Sequence, residues 1–219
     1  MNEIKIPTTW DEVTIGQWQE ISNIETDLPE TKDIETIAIL ADIDPEEIRQ
    51  LNIKTYQSLK EKLRILSDSP ISTEMKLKIE LNGRKYGFIP NLDFITAGEW
   101  ADINQWSNDS VDNLHLISAV LYRPIIKEDD DNYEIAPHLP NGFMQRAELF
   151  KKELPITAVY QSIFFFISFG IEYMRILTEY LTEEELEKKK KTSKKTTTQK
   201  ATKRKRDKPS KNNGEHMIS

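Results

Sequence analysis

The chain has 219 residues, enough for one large domain or two small ones with a real hydrophobic core. It contains no cysteine, which excludes disulfides, zinc fingers, iron–sulfur clusters and thiol catalysis. Its net charge of −7 conceals two blocks: residues 188–219 hold 13 of the 30 Lys and Arg but two of the 37 Asp and Glu, a net of +11, so the first 187 carry −18, an opposition that separates a folded body from an interaction tail.

From the N-terminus, Met1 to Pro7 holds one lysine and no apolar run, so no secretory signal is visible and the cytoplasm is the expected compartment. Ile4-Lys5-Ile6 reads as a short strand. Val13-Thr14-Ile15-Gly16-Gln17-Trp18-Gln19-Glu20-Ile21 follows, and it recurs as Ile95-Thr96-Ala97-Gly98-Glu99-Trp100-Ala101-Asp102-Ile103. The flanks agree too, with Ile6-Pro7 against Ile89-Pro90 upstream and Ile37-Ala38-Ile39-Leu40 against Ser118-Ala119-Val120-Leu121 downstream. The body therefore reads as two related halves, about 4–70 and 77–180, each a strand–helix–helix unit.

The repeated motif explains itself structurally. Thr14 with Gln17, and Thr96 with Glu99, fit a capping box, in which the Thr hydroxyl accepts from the N3 amide while the N3 side chain reaches back. Val13 and Ile95 then stand before the cap with Trp18 and Trp100 at N4, a hydrophobic staple. Losing either Thr is expected to cost about 1 kcal/mol. Structural work outweighs a tryptophan-lined binding site at these positions.

Asp44-Pro45-Glu46-Glu47 is another helix start, with Pro at N1 and Glu at N3. Tyr56, Leu59, Leu63 and Leu66 mark one face of a helix over 55–67. Residues 76–89 carry the clearest β signal, with Asn82-Gly83 suited to a type I′ turn. In that register Ile79 faces Tyr86 and Leu77 faces Phe88 on a buried side, and Glu80 faces Lys85 on a wet side. Ile4-Lys5-Ile6 is the candidate third strand, because a lone hairpin is marginal. A helix over 111–122, ended by Pro124, comes next. Residues 125–142, with three consecutive aspartates and two prolines, read as a surface loop. Helices are expected over 143–152 and 156–180, and a last helical turn starts at the Thr182-x-x-Glu185 capping box.

The fold class is thus α+β, mainly α: a helix-rich acidic body, residues 1–187, with a small antiparallel hairpin or sheet and an internal duplication. The 188–219 extension has Ala201, Met217 and Ile218 as its only apolar residues and is expected to be disordered.

Chemistry is hard to find. The seven glycines form no GxGxxG or P-loop pattern. His115, His138 and His216 have no HExxH spacing. His115 with Asp112 reads as an acid–base pair or, more simply, as a helix-face contact. A calcium loop begun at Asp129 requires Gly at 134 and Glu at 140, where the chain has Glu134 and Pro140. No catalytic residue, metal ligand or cofactor site is assigned, and an enzyme is not expected.

The stretch 156–171 is apolar on nearly every side. At about 24 Å it is short against a bilayer core of about 30 Å, and it holds Gln161, Ser162 and Ser168, with Glu172 and Arg175 just beyond. It therefore reads as a central helix, not a membrane span, and where it is exposed, Phe164, Phe165, Phe169 and Tyr173 are the candidate partner contacts. In the tail, Lys203, Arg204, Lys205 and Arg206 suit phosphate contacts that release counterions, though no aromatic residue is interleaved for base stacking. Docking on the chain's own acidic body and nuclear import are the other readings of that run.

The order Trp10-Asp-Glu-Val-Thr-Ile-Gly-Gln-Trp-Gln-Glu-Ile, Ile79-Glu-Leu-Asn-Gly-Arg-Lys-Tyr, Thr96-Ala-Gly-Glu-Trp and Leu114-His-Leu-Ile-Ser-Ala-Val-Leu-Tyr-Arg-Pro resembles small phage virion-morphogenesis proteins. These are often described as tail assembly chaperones, particularly in phages of gut Bacteroidetes. The resemblance covers roughly residues 4–180 and carries over no functional residue. It implies a non-enzymatic role in the host cytoplasm, keeping apolar helices of an unassembled virion or tail protein soluble. The alternative is a structural or packaged virion component whose basic tail contacts genomic DNA.

Overall fold

Both capping boxes form. Thr14 Oγ1 accepts from Gln17 N at 3.2 Å while Gln17 Oε1 accepts from Thr14 N at 3.1 Å. Thr96 Oγ1 accepts from Glu99 N at 3.2 Å, and Glu99 Oε2 accepts from Thr96 N at 2.7 Å. Each box satisfies amides that a helix N-terminus leaves unpaired, and each opens a helix, α1 (Ile15–Ser22) and α5 (Ala97–Ser107). The computed structural model in which they are seen describes residues 4–72, 74–91, 95–129 and 132–170, the side chains of 169 and 170 apart, with a few helical positions between 172 and 182.

Each of these helices packs on a second one, α1 on α2 (Pro29–Ala41) and α5 on α6 (Leu114–Leu121). Pro29 presets φ at the first position of α2. The helix stops where Asp42 turns left-handed at φ 54°, which lets Ile43 N reach back to Ala38 O at 3.1 Å. Between the related helix pairs lie α3 (Pro45–Arg49), capped by Asp44, and α4 (Ile53–Asp68), capped by Asn52. Helix α4 buries Leu59 and Leu66 and half-buries Tyr56 and Leu63, the 3.6-residue stripe of the sequence.

One antiparallel sheet runs in the order β1 (Lys78–Leu81), β2 (Arg84–Phe88), β3 (Tyr122–Glu128), β4 (Tyr133–Ile135). Asn82 at φ 52° and Gly83 at φ 71° supply the turn, and Ile79 pairs with Tyr86 and Glu80 with Lys85. Three expectations are corrected here. Ile4-Lys5-Ile6 forms no strand; β3 lies beside β2 instead, because α6 runs without a loop into Tyr122 and delivers the chain to that edge. Residues 125–142 are not all loop, since β3 and β4 pair through Ile125 and Ile135. Leu77 is 50% exposed, because it stands one residue outside β1 and beyond the buried face. Glu80 and Lys85 are exposed as expected, and further along that face Tyr133 covers Gly87: a Cβ there would lie 2.3 Å from the Tyr133 ring, and the Tyr133 hydroxyl donates to Phe88 O at 2.8 Å.

The core gathers where sheet and helices meet. Tyr86 is edge-on to Phe150 of α7 (Phe143–Glu153), with centroids 5.0 Å apart, and Phe88 is edge-on to Tyr122 at 5.3 Å. Burying side chains of this size contributes about 1.5–3 kcal/mol each. Seven of the eight residues of α6 are buried, so it is the central helix of the core. Helix α8 (Ile156–Phe165) buries Ile156, Val159 and Ile163 and passes into one wider π-type turn, Phe166–Gly170. The uninterrupted α-helix expected over 156–180 therefore ends at Phe165.

The chain divides into two compact units, Met1–Ile171 and Glu172–Ser219. In the second, Arg175 holds both Glu172 and Glu179 at 2.6 Å along a helical stretch. Thr182 is helical and its hydroxyl donates to Thr178 O at 2.8 Å, while Glu185, the other half of the expected capping box, lies outside the described residues. Among the described residues no helix is long and apolar enough to cross a membrane. The side chain of Phe169, Tyr173, and Lys203, Arg204, Lys205 and Arg206 lie outside the described residues.

Candidate partner-binding surface

Helix α8 is set in place by the first capping box. Ile15 N donates to Leu154 O at 3.0 Å and Ile156 N to Val13 O at 2.9 Å, so the starts of α1 and α8 are clasped by two backbone bonds around Thr14 and Pro155. The Thr157 hydroxyl adds a bond to Asp11 Oδ1 at 2.6 Å. With one face of α8 committed to the core, the other side is partly exposed. That face is aromatic: Tyr160 is half-buried, Phe164 is 41% exposed and Phe165 is 37% exposed.

Trp18 joins this face from α1. Its ring lies edge-on to Tyr160 with centroids 6.1 Å apart, and Tyr160 lies 4.5 Å from Phe164. Tyr160 and Phe164 are four residues apart on one helix, which places them one above the other. The result is a ladder of three aromatic rings from the first cap to an exposed phenyl. Trp100 diverges. It is half-buried on α5 and, among the described residues, is not one of those packed on the core.

The two caps also differ in what their third residue does beyond the cap. Gln17 Nε2 donates to Ile39 O at 3.2 Å and Leu40 O at 3.5 Å, tying α1 to the C-terminal end of α2. Glu99 Oε1 meets Arg123 Nη1 at 2.6 Å, with both side chains nearly excluded from water, tying α5 to the start of β3. Burial lowers the Arg123 pKa, and Glu99 opposes that shift. The sequence shows the Gln-to-Glu change, but nothing in it marks Arg123 as the partner.

His115 is buried beside Gln19, with Nδ1 3.2 Å from Gln19 Nε2, while the Asp112 carboxylate bonds Asn23, so the suggested His115–Asp112 acid–base pair does not form. Burial, and then Lys151, lower the His115 pKa. An imidazole–carboxylate pair does form elsewhere, His138 Nε2 with Asp102 Oδ2 at 2.9 Å, with the ring edge-on to Phe143. It joins residues 36 apart in sequence, which spacing alone does not reveal. Among the described residues no cluster of ligating side chains suits a metal ion. A cleft of about 490 Å³ between α2 and α4 has Thr36, Leu40 and Leu66 in its wall. Two of its cations are already matched: Lys60 holds Glu30 and Asp33, each at 2.9 Å, and Arg64 holds Glu61 at 2.7 Å.

No known protein family, curated protein or solved structure matches the chain.

Proposed function

We propose that this chain is a non-enzymatic phage assembly factor, chaperone-like, that binds apolar helical segments of an unassembled virion or tail protein in the host cytoplasm. The observation that carries the reading is the Trp18–Tyr160–Phe164 ladder, which ends in an exposed phenyl on a helix whose other face is sealed in the core. A row of rings at i and i+4 spacing offers a partner helix apolar ridges to pack between. The surrounding body, at −18, keeps such a surface from self-association. The resemblance to tail assembly chaperones supplies the phage setting.

The test is an affinity pull-down from infected cells with the full chain and its Phe164→Asp variant. The wild type should recover a virion or tail protein, and the variant should lose at least roughly tenfold of it, a carboxylate on a desolvating surface costing 1.4 kcal/mol or more. Recovery of no virion protein, or equal recovery by both, defeats the proposal. The +11 tail favours a second reading, a packaged virion component contacting genomic DNA. Abundant copies in purified, disrupted virions would select it over the chaperone.

A further inference from the structure

A cleft of about 430 Å³ lies between the hairpin turn and the start of α7. Among the described residues its lining includes two arginines and no carboxylate, on a body whose net charge is −18. Arg84 lies over the Tyr86 ring at 5.9 Å and, among the described residues, forms no ion pair. Arg146 anchors itself through Nε and Nη2, which both donate to Ala119 O at 3.1 and 2.9 Å. Its Nη1 has no acceptor among the described residues. Pro124, Leu139 and Leu149 supply apolar wall, and Leu139 is 57% exposed.

Two further features bear on the positive charge here. Burial, then Arg123 and Arg84, pull the Arg146 pKa down to about 10. The cap position of α7 is Gly142, which offers no side-chain acceptor; Phe143 N donates to Pro140 O at 3.3 Å, and Gly142, Gln145 and Arg146 bring the positive end of the helix to the cleft lining.

We infer that this cleft receives an acidic side chain carried within an apolar segment of a partner polypeptide, its carboxylate held between Arg84 and Arg146 and its neighbours laid on Pro124, Leu139 and Leu149. Guanidinium groups match a carboxylate in shape and charge, and apolar residues on either side of it replace water on the walls. A nucleic acid fits less well, because its closely spaced phosphates would meet the acidic body around the cleft. The site shares no residue with the aromatic ladder, so it stands or falls separately from the proposed function.

The test uses the full 15N-labelled chain and a blocked nine-residue peptide with one central Glu between leucines and serines. Its Gln counterpart, the Gln peptide with a free C-terminal carboxylate, and a short oligothymidylate are the comparisons. The Glu peptide should shift the amides of Gly142, Met144 and Gln145 and bind at least roughly tenfold tighter than the Gln peptide. Arg84→Glu, at an exposed position, should abolish the shifts while leaving the rest of the spectrum in place. Arg146→Lys, which keeps the charge and loses the planar fork, should weaken binding less than Arg84→Glu. No shift at millimolar Glu peptide, equal binding of Glu and Gln peptides, unaltered binding by Arg84→Glu, or shifts caused only by the free terminus or the oligonucleotide would each overturn the inference.

Discussion

Gly16 and Gly98 occupy the same position, N2, in two helices opened by the same capping box, yet their surroundings are opposite. A Cβ on Gly16 would stand 2.8 Å from Lys151 O and 3.2 Å from Lys151 Cγ, whereas a Cβ on Gly98 would meet nothing nearer than Thr96 Oγ1 at 4.0 Å. Alanine improves helix propensity by about 0.5–1 kcal/mol at either site. Because the cap frame is shared, that gain cancels when the two variants are compared. What remains is the cost of pushing α1 off the backbone of α7, about 1–3 kcal/mol for an overpacked contact. Relaxation is limited, since Ile15 N to Leu154 O and Ile156 N to Val13 O hold the same junction together. Gly16→Ala should therefore lie about 2 kcal/mol, or roughly 4–8 °C in Tm, below Gly98→Ala, with Gly98→Ala at or above the wild type. Thermal unfolding followed by circular dichroism, with urea midpoints as a check, reads the difference. Equal shifts, or a larger loss at Gly98, would refute the argument that the close approach of α7 makes Gly16 obligatory.

Other perturbations address the remaining contacts. Glu99→Gln keeps the cap acceptor but leaves the Arg123 guanidinium buried without its anion, and should cost roughly 3–5 kcal/mol in chemical denaturation; Gln17→Glu turns a donor to Ile39 O into a repelled oxygen and should cost about 1–3 kcal/mol. The folded pKa of His115 is depressed, so its neutral form contributes stability that is present above the unfolded value, near 6.5, and lost as pH falls through the folded value. His115→Gln should flatten the stability profile on the acid side of that value, and an unchanged slope would contradict the assignment. Glu128 accepts from Lys78 at 2.8 Å and Lys85 at 2.7 Å, which hold its pKa down to about 2, so this clasp on the sheet is intact above the usual carboxylate range and is lost as pH falls towards 2. Carboxyl 13C NMR should give that low midpoint, and Lys78→Met should raise it.

Local signals in the sequence were strong where a few neighbouring residues decide the outcome. The capping boxes at Thr14 and Thr96, the Asp44-Pro45 start and the Asn82-Gly83 turn each need no more than four consecutive residues to close their hydrogen bonds, and each is in place. The failures are long-range. Strand β3 carries Pro124 and leads straight into an acidic run, and both argue against a strand; it forms because α6 presents Tyr122 to the free edge of β2, a fact of packing. Strand β4 has three residues, too few for an alternation to register. In the candidate surface, the exposure of Phe164 follows from which side of α8 the core claims, and a helix with apolar residues on nearly every side does not announce that choice in its sequence. Arg84 and Arg146 are 62 positions apart on a hairpin and a helix, and only the fold shows that both line one cleft.

The two copies of the capped motif show how one local device takes different chemistry from its neighbours. In each, one oxygen of the third residue serves the cap, so the other arm of that side chain is free to be chosen by tertiary contact. At α1 the arm meets the carbonyls of Ile39 and Leu40, at the negative end of α2, and an amide that donates is required there. At α5 the arm meets a buried guanidinium, and an anion is required. The same divergence reaches the tryptophans one position on. Trp18 is drawn into the ladder with Tyr160 because the clasp at Leu154 and Ile156 brings α8 against α1, whereas α5 has no such clasp among the described residues. The duplication thus specifies two helix starts, and the single α8 decides which of them carries the exposed aromatic ladder.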